Sequence, residues 1–319
     1  MSISEFELIQ SYFHREAGGE GVVQGIGDDC AILQLPEGKQ LAVSVDTLIA
    51  DVHFLANADP SLIAERALCV NLSDLAAMGA KPLWFTLALS LPEADEHWLE
   101  SFSKGLFAAA HRHDCVLVGG DTTRGPLSIT IQVQGAIDPG KALLRGNAAE
   151  GDIIFVTGSL GDGAAALAAL QHQFDVHEDD LSYFSDCYYR PQPRIKEGLR
   201  LTTIASAALD ISDGLVADLG HLCNASFVGA EINIDQLPLS ASLSKYPDCP
   251  AIDWALCGGD DYQLVFTVSP KRIDALQALI AFGEIDATEI GVIVNTGGVV
   301  CKQGGEIYQP PQTGYKHFE

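Results

Sequence analysis

A turn-rich segment near the middle of the chain, DPGKALLRGNAAEGD at residues 138–152, separates two halves of similar character. Proline, glycine, asparagine and aspartate at this density interrupt helices and strands alike, so the segment predicts a domain boundary. The chain has 319 residues, and a single hydrophobic core rarely serves a chain of that length. We therefore expect two domains, residues 1–140 and residues 141–319.

Each half alternates predicted strands with predicted helices. In the first half, apolar patterns predict strands at 41–45, 83–91, 116–118 and 128–134 and helices at 60–78 and 93–113, with GGDTTRGP as a loop. In the second half they predict strands at 153–157, 205–209, 262–268 and 289–294 and helices that begin near 164, 214 and 270. The fold class is therefore α/β, of the α+β type, in two domains that are not simple doubly wound sheets.

The charge balance limits which partners the chain can bind. It contains 18 lysines and arginines against 43 aspartates and glutamates, which gives a formal net charge of −25. Such a surface repels nucleic acid and anionic membranes, so neither is expected as a partner. A protein of this charge that binds phosphates must do so through metal cations and backbone amides.

Cysteine usage and the absence of targeting signals predict a cytoplasmic protein. Eight cysteines are scattered along the chain without a CxxC pair, which is typical of reduced, buried thiols rather than disulfides or a zinc site. No positively charged segment followed by an apolar one opens the sequence. No apolar run approaches the ~20 residues that a membrane span needs.

Aspartates recur beside glycines where predicted strands end and helices begin. They lie in the segments GIGDD, SVDT, NLSDLAAMG, GGDTT, LDISDG and GGDDY, and are Asp28, Asp29, Asp46, Asp74, Asp121, Asp210, Asp213, Asp260 and Asp261. Oxygen ligands of this kind suit Mg²⁺, and neighbouring glycines let the backbone approach a phosphate. For each aspartate alone, a helix cap or a turn is the alternative interpretation.

The helix-cap or turn interpretation does not apply to Asp74, because Asp74 lies inside a predicted helix, between Leu72 and Leu75. A capping role is unavailable there, and a carboxylate on an otherwise apolar helix needs a positive partner or a cation. The segment GSLGDG lacks the Gly-Lys-Ser/Thr ending of a nucleotide P-loop, and DISDG lacks the spacing of a calcium-binding EF-hand loop.

Three further residues carry two interpretations each. Arg124 follows GGDTT and Arg145 lies at the domain boundary. Either arginine could meet a phosphate, with a surface salt bridge as the alternative. His53 in DVHF is a candidate ligand or a half-buried core histidine.

In order and spacing, the segments resemble those of the thiamine-monophosphate kinases. This family belongs to a superfamily that includes aminoimidazole ribonucleotide synthetase, selenophosphate synthetase and a hydrogenase maturation factor. The resemblance runs from GIGDDCA through VDTLIADVHF, ALCVNLSDLAAMGA, GGDTTRGPLSITI, VTGSLGDGAAAL, ALDISDGLVADLGH and GGDDYQLVFTV to TGYKHF, nearly the whole chain. Each segment alone is weak evidence for the family, but the order and spacing of all the segments together are specific to it.

The resemblance implies a site built from matching positions. It implies that Mg²⁺ is held by Asp29, Ser44, Val45, Asp46, Asp74, Asp121, Asp210 and Asp213. It implies ATP contacts from Gly120, Asp121, Arg145 and Ser212. The thiamine phosphate pocket corresponds to His53, Asp260 and Tyr315. The family usually has Glu where this chain has Asp260, and the shorter arm withdraws the charge by one methylene.

The same resemblance implies ATP as co-substrate, several Mg²⁺ ions, and an N-terminal domain that binds ATP and pairs across a homodimer. It implies that the C-terminal domain completes the nucleotide and substrate sites. The acceptor, a phosphate monoester with a second pKa near ~6, is already mostly dianionic at neutral pH. No general base is therefore expected, and direct in-line transfer assisted by metal suffices.

Two alternatives differ in class. One is another ATP-dependent enzyme of the superfamily, although the glycine-rich segment with a reactive Cys or selenocysteine that selenophosphate synthetases carry is missing. The other is a non-catalytic acidic metal-binding protein, which would bind divalent ions without turning over ATP. That second interpretation leaves the ordered segments unexplained.

Overall fold

The structure, a computed structural model, describes residues 5–14 and 18–315. The described residues fall into two compact units. Unit 1 runs to Leu75 and resumes over residues 80–140, whereas unit 2 contains Ala76–Gly79 and the chain from Lys141 onward. None of the helices in the described part of the chain is long and apolar enough to cross a membrane.

Unit 1 is built on a four-stranded sheet in the order β3-β6-β4-β5, with a separate two-stranded β1-β2 ribbon. The strands are β1 (Val22–Gln24), β2 (Ile32–Leu33), β3 (Gln40–Ile49), β4 (Lys81–Leu91), β5 (Val116–Arg124) and β6 (Ser128–Ile137). The helices are α1 (Glu5–Leu8), which a π-helical turn at Ile9–Phe13 extends, α2 (Pro60–Ala77) and α3 (Glu96–Arg112). β4 pairs antiparallel with β6 and parallel with β5.

The two faces of β3 differ in character because side chains alternate along a strand. Ser44, Asp46 and Leu48 share one face, and α2 packs there, since Asn71 accepts a hydrogen bond from the Asp46 N–H at 2.9 Å. The opposite face carries large apolar side chains that are 43–54% exposed in unit 1: Leu41, Val43, Val45 and Ile49. Unit 1 therefore has an open apolar sheet face on its β3 edge.

Unit 2 is built on a seven-stranded sheet in the order β13-β12-β9-β11-β7-β10-β8. Its strands are β7 (Ile153–Thr157), β8 (Ala207–Asp210), β9 (Gly229–Asn233), β10 (Leu264–Val268), β11 (Ala287–Val294), β12 (Gly298–Gln303) and β13 (Glu306–Tyr308). Its helices are α4 (Asp162–Leu170), α5 (Glu178–Tyr189), α6 (Ile195–Leu201), α7 (Leu215–Ser226), α8 (Ala251–Cys257) and α9 (Ile273–Ala281). Short 3₁₀ turns lie at Arg145–Asn147, Ile234–Gln236, Leu243–Lys245 and Pro270–Arg272.

Both faces of the unit 2 sheet are buried, because neighbouring residues of its central strands enter different cores. Ile154 and Val156 join a core with residues of α7 and α8. Phe155 joins a second core with residues of α6 and α9 and stacks on Phe266, with ring centroids 5.6 Å apart. This two-sided burial explains the uninterrupted apolar runs of these strands.

The structure confirms the α/β class in two domains and corrects the element assignment in places. The predicted loop GGDTTRGP is wrong over its first six residues, because β5 continues to Arg124 in parallel pairing with β4. The predicted helix at 270–282 begins with a 3₁₀ turn, and α9 itself starts at Ile273. The sequence patterns did not predict α1, the β1-β2 ribbon, β9, β12, β13, α5, α6 or α8.

Candidate active site

The loop between β8 and α7 in unit 2 is organised by one buried carboxylate. Oδ2 of Asp218, in the first turn of α7, accepts the backbone N–H groups of Ser212, Asp213 and Gly214 at 3.0, 3.0 and 3.1 Å. Burial raises the pKa of the Asp218 carboxyl to about 6, and the backbone donors oppose that rise. Donors that would otherwise be orphaned at a helix start are thus satisfied, which fixes the loop.

The GGDDY segment packs against this loop, backbone to backbone. The Asp260 N–H donates to the Ser212 carbonyl at 3.0 Å, and a Cβ on Gly259 would lie 2.5 Å from the same oxygen. Asp260 has φ 71° and Tyr262 has φ 48°, conformations that non-glycine residues rarely adopt. Such strain persists only where the surroundings enforce it, as at binding sites.

The C-terminal segment reaches the same loop. The Tyr315 N–H donates to the Asp213 carbonyl at 3.0 Å, and the Cys257 thiol donates to the Gln312 carbonyl at 2.8 Å. Unit 2 therefore brings together the loop that carries Ser212 and Asp213 with Asp260 and Tyr315. Asp210, the last residue of β8, is only 5% exposed and directly precedes this loop.

Asp261 has a different role from the one that its position suggests. The sequence predicts a cap of the turn into β10, but its carboxylate accepts the N–H groups of Gly161 at 2.8 Å and Gly163 at 3.1 Å. Burial raises the pKa of the Asp261 carboxyl to about 8. Asp261 thus links the GGDDY segment to the GSLGDG turn at the start of α4.

In unit 1, oxygen-bearing side chains meet where β3 faces α2. The Ser44 hydroxyl donates to Oδ2 of Asp74 at 2.5 Å, and Asp46 lies two residues further along the same strand face. Asp74 lies in the last turn of α2. Within the described residues, no three His, Cys, Asp or Glu side chains are grouped closely enough to hold a metal. The donor set near Asp74 is nevertheless of the oxygen type that Mg²⁺ prefers.

The other predicted residues of unit 1 lie outside α2, the helix that carries Asp74. Asp121 is in β5, separated from β3 by β4 and β6, which is about 14 Å at ~4.8 Å per strand. Gly120 approaches β4 so closely that a Cβ would lie 1.8 Å from the Leu87 carbonyl oxygen. Asp29 is exposed in the turn between β1 and β2, and Val45 could offer a metal only its carbonyl oxygen.

His53, Arg124 and Arg145 each have a defined hydrogen-bond partner. Nδ1 of His53 accepts the Ile49 N–H at 3.0 Å, which indicates the neutral tautomer protonated on Nε2. Arg124 donates through Nε to the Pro92 carbonyl at 3.2 Å. The Arg145 carbonyl accepts the Ser226 hydroxyl at 2.7 Å, at the end of α7 remote from Asp213. The backbone of Arg145 is therefore anchored at the C-terminal end of α7.

Two groups around this loop were not predicted from the sequence. The sequence around Asp218 does not distinguish this buried aspartate from an exposed aspartate at the start of a helix. Arg190 and Arg194, in the segment RPQPR, line a cavity that also includes Asp260. The scarcity of basic residues in this chain was a usable signal for both arginines.

Comparison with known proteins defines the class. The AIR synthase related protein N-terminal domain matches residues 27–137, and the AIR synthase related protein C-terminal domain matches residues 149–302. The two units and the carboxylate-bearing loops are thus those of a two-domain AIR synthase-related protein.

Individual relatives identify the family within this class. Thiamine-monophosphate kinase of Salmonella typhimurium is 48% identical over 322 residues, spanning 100% of this chain and 99% of the relative. The crystal structure of thiamine-monophosphate kinase from Stenotrophomonas maltophilia K279a is 44% identical, with TM-score 0.85, covering 97% and 99% of the two chains. A structure of AaThiL complexed with AMPPCP and TMP is 34% identical, with TM-score 0.79 and 92% coverage of each chain. The chain belongs to the thiamine-monophosphate kinase family.

Replacing Asp218 by Ala tests how the unit 2 loop is held. The change should lower the free energy of unfolding by at least about 2 kcal/mol, because each buried donor left without an acceptor costs ~1–3 kcal/mol. Denaturant unfolding measures it. Asp274→Ala is the matched control, since Asp274 is exposed in the first turn of α9 and its loss should cost less than ~0.5 kcal/mol. Equal stability of the two variants would contradict the assigned role.

Proposed function

We propose that the chain transfers the γ-phosphate of ATP directly to the phosphate of thiamine monophosphate, yielding thiamine diphosphate and ADP. The observation that carries the proposal is the 48% identity to a thiamine-monophosphate kinase along the full length of both chains. The AaThiL complex with AMPPCP, an analogue of ATP, and TMP supports the same pair of substrates. The loop that gathers Asp213, Asp260 and Tyr315 supports the proposal, because it brings candidate residues of unit 2 together.

The resemblance to the family supports the assignment of individual residues. By that resemblance we assign the ATP contacts to Gly120, Asp121, Arg145 and Ser212, and the thiamine monophosphate contacts to His53, Asp260 and Tyr315. The acceptor phosphate is mostly dianionic at neutral pH, so no residue has to remove a proton from it. The protein's contribution is to hold donor and acceptor in line and to exclude water from the transfer.

Magnesium fits the donor sets of both units. In unit 1 the ligands would be Asp29, Ser44, the Val45 carbonyl, Asp46, Asp74 and Asp121, and in unit 2 Asp210 and Asp213. When bound, Mg²⁺ neutralises the phosphates of two polyanionic substrates. The Ser44–Asp74 hydrogen bond supports this assignment, because it holds two oxygen ligands together on one side of β3.

The acceptor specificity tests the proposal. Thiamine monophosphate should support ADP release, and unphosphorylated thiamine should not, since the proposed transfer uses no general base and an alcohol acceptor needs one. A coupled assay of ADP release with each acceptor, at equal ATP and Mg²⁺, measures this. Comparable turnover on thiamine would overturn the proposal, and ADP release that no acceptor stimulates would favour a different enzyme of the superfamily.

Asp74→Asn tests the metal assignment. The fold should survive, because an amide can still accept the Ser44 hydrogen bond, while kcat/KM should fall by about 100-fold or more as a charged ligand is lost. Thermal unfolding and steady-state kinetics at several Mg²⁺ concentrations provide the measurements. The control is Asp95→Asn, at the N-cap of α3 in the same unit, which should keep both stability and activity. A variant that unfolds while its folded fraction binds Mg²⁺ and ATP normally would make Asp74 structural.

The open apolar face of β3 supports a homodimer formed through unit 1. An apolar stripe this exposed marks a protein contact, and a second copy of the same stripe is a self-complementary partner. Val43→Glu should then lower the mass in sedimentation from twice the 33.9 kDa of one chain towards a single chain. Val23→Glu, at an equally exposed apolar residue of β1, is the control and should leave the mass unchanged. A wild-type chain that sediments as a monomer would contradict the dimer.

A cytoplasmic location is part of the proposal. All eight cysteines are free thiols in the structure. Reduced thiols in this number are typical of a reducing compartment.

A further inference from the structure

Asn71 is a polar residue inside a buried helix. It lies in α2 between Val70 and Leu72, and it is 0% exposed. Asparagine disfavours helix interiors because its side chain competes for backbone hydrogen bonds, and a buried amide needs partners for its donors and its acceptor. An apolar residue would serve the core around α2 better, and the function proposed above gives Asn71 no role.

The Asn71 amide joins the helix to a strand. Its Oδ1 accepts the Asp46 N–H of β3 at 2.9 Å, and its Nδ2 donates to the Ala67 carbonyl of α2 at 2.8 Å. These partners fix the orientation of the amide, because exchange of its oxygen and nitrogen would place donor against donor and acceptor against acceptor. Asn71 therefore links a strand N–H to a helix carbonyl in a single arrangement.

The N–H group that Asn71 binds lies at the edge of a sheet. β3 is the end strand of the four-stranded sheet of unit 1, and among the described strands it pairs with β6 alone. Alternate N–H groups of such a strand point away from its neighbour and have no partner in the ladder. The Asp46 N–H donates to α2 instead, so Asn71 binds the edge of β3 at a residue that carries a proposed metal ligand.

α2 binds β3 at two successive points. Asn71 binds Asp46, and Asp74 binds Ser44. The two helix residues are three positions apart, about 4.5 Å along the axis, and their partners are two positions apart, about 6.8 Å along the strand. Two contacts at this spacing fix both the position and the orientation of α2 relative to β3, which one contact alone would not do.

The two contacts differ in their relation to the proposed metal. The Ser44 hydroxyl and the Asp74 carboxylate are both proposed ligands, so cation binding competes with their hydrogen bond. The other contact uses the backbone N–H of Asp46 and the Asn71 amide, neither of which is a proposed ligand. The Asn71 contact is therefore compatible with a cation on the Asp46 carboxylate.

We propose that Asn71 is a positioning residue of the unit 1 metal site, where it holds the carboxylates of Asp46 and Asp74 in register for Mg²⁺. The inference rests on the metal assignment within the function proposed above. Mg²⁺ demands near-ideal octahedral geometry, so displacement of one carboxylate weakens its binding. Groups that orient metal ligands typically contribute about 10- to 100-fold to metal affinity.

Mn²⁺ binding by the full chain tests the inference without relying on turnover, because Mn²⁺ accepts the same oxygen ligands. Electron paramagnetic resonance follows the unbound ion, and Asp74→Asn identifies the binding that belongs to unit 1. Asn71→Ala should weaken that binding about 10- to 100-fold. In steady-state kinetics the half-saturating Mg²⁺ concentration should rise by the same factor, while the KM for thiamine monophosphate should change by less than about twofold.

Thr267→Val is the matched control. Thr267 is also 0% exposed, and its hydroxyl accepts the Ala207 N–H of β8 at 3.2 Å within unit 2. Both variants thus remove the side-chain acceptor of a strand N–H, but only Asn71→Ala should change the affinity for Mn²⁺. Wild-type affinity in Asn71→Ala, or an equal loss in Thr267→Val, would overturn the inference.

Hydrogen exchange of the wild-type chain provides a second test, which stands even if Asn71→Ala does not fold. The Asp46 amide should exchange slowly both without and with Mn²⁺, because Asn71 holds it in each case. Rapid exchange of this amide in the metal-free chain would overturn the inference. Failure of the metal assignment is distinguishable, since the wild type would then bind no Mn²⁺ that Asp74→Asn removes, and that result would overturn the assignment and the inference together.

Discussion

The arrangement of the candidate-site segments in unit 2 depends on the hydrogen bonds that the carboxylate of Asp218 accepts. By accepting three consecutive backbone N–H groups, it fixes the loop that begins after Asp210. The fixed loop then offers the Ser212 carbonyl to Asp260 and the Asp213 carbonyl to Tyr315. Segments from three distant parts of the sequence are thus positioned by main-chain atoms.

Charge is the second constraint. A chain with net charge −25 that binds two polyanions has to reverse the local field, and its carboxylates can do so only through cations. This explains why the aspartates of the ordered segments lie at strand and loop positions with oxygen neighbours, as at Ser44 and Asp74.

Local patterns in the sequence predicted the elements that depend on local physics. Strand β6 alternates apolar and polar residues, and α2 runs between Pro60 and a glycine just beyond its end. The continuation of β5 through GGDTTR was not predictable, because glycine and aspartate disfavour strands and only pairing with β4 holds them there. The contacts of Asp261 with Gly161 and Gly163 span about a hundred residues of sequence, and no local pattern encodes them. The resemblance supplied the candidate site residues. The hydrogen bond between Arg194 and Gln263 was recognised only in the folded chain.

Direct transfer between two substrates is the central claim, and a single-turnover experiment with ATP labelled in the γ-phosphate tests it most directly. Enzyme in excess over labelled ATP is mixed with thiamine monophosphate and Mg²⁺, quenched at intervals, and separated into protein, nucleotide, thiamine diphosphate and inorganic phosphate. Direct transfer predicts that label passes from ATP to thiamine diphosphate in step with ADP formation, with none on the protein at any time. Label on the protein before product forms, or label recovered as inorganic phosphate, would contradict direct transfer.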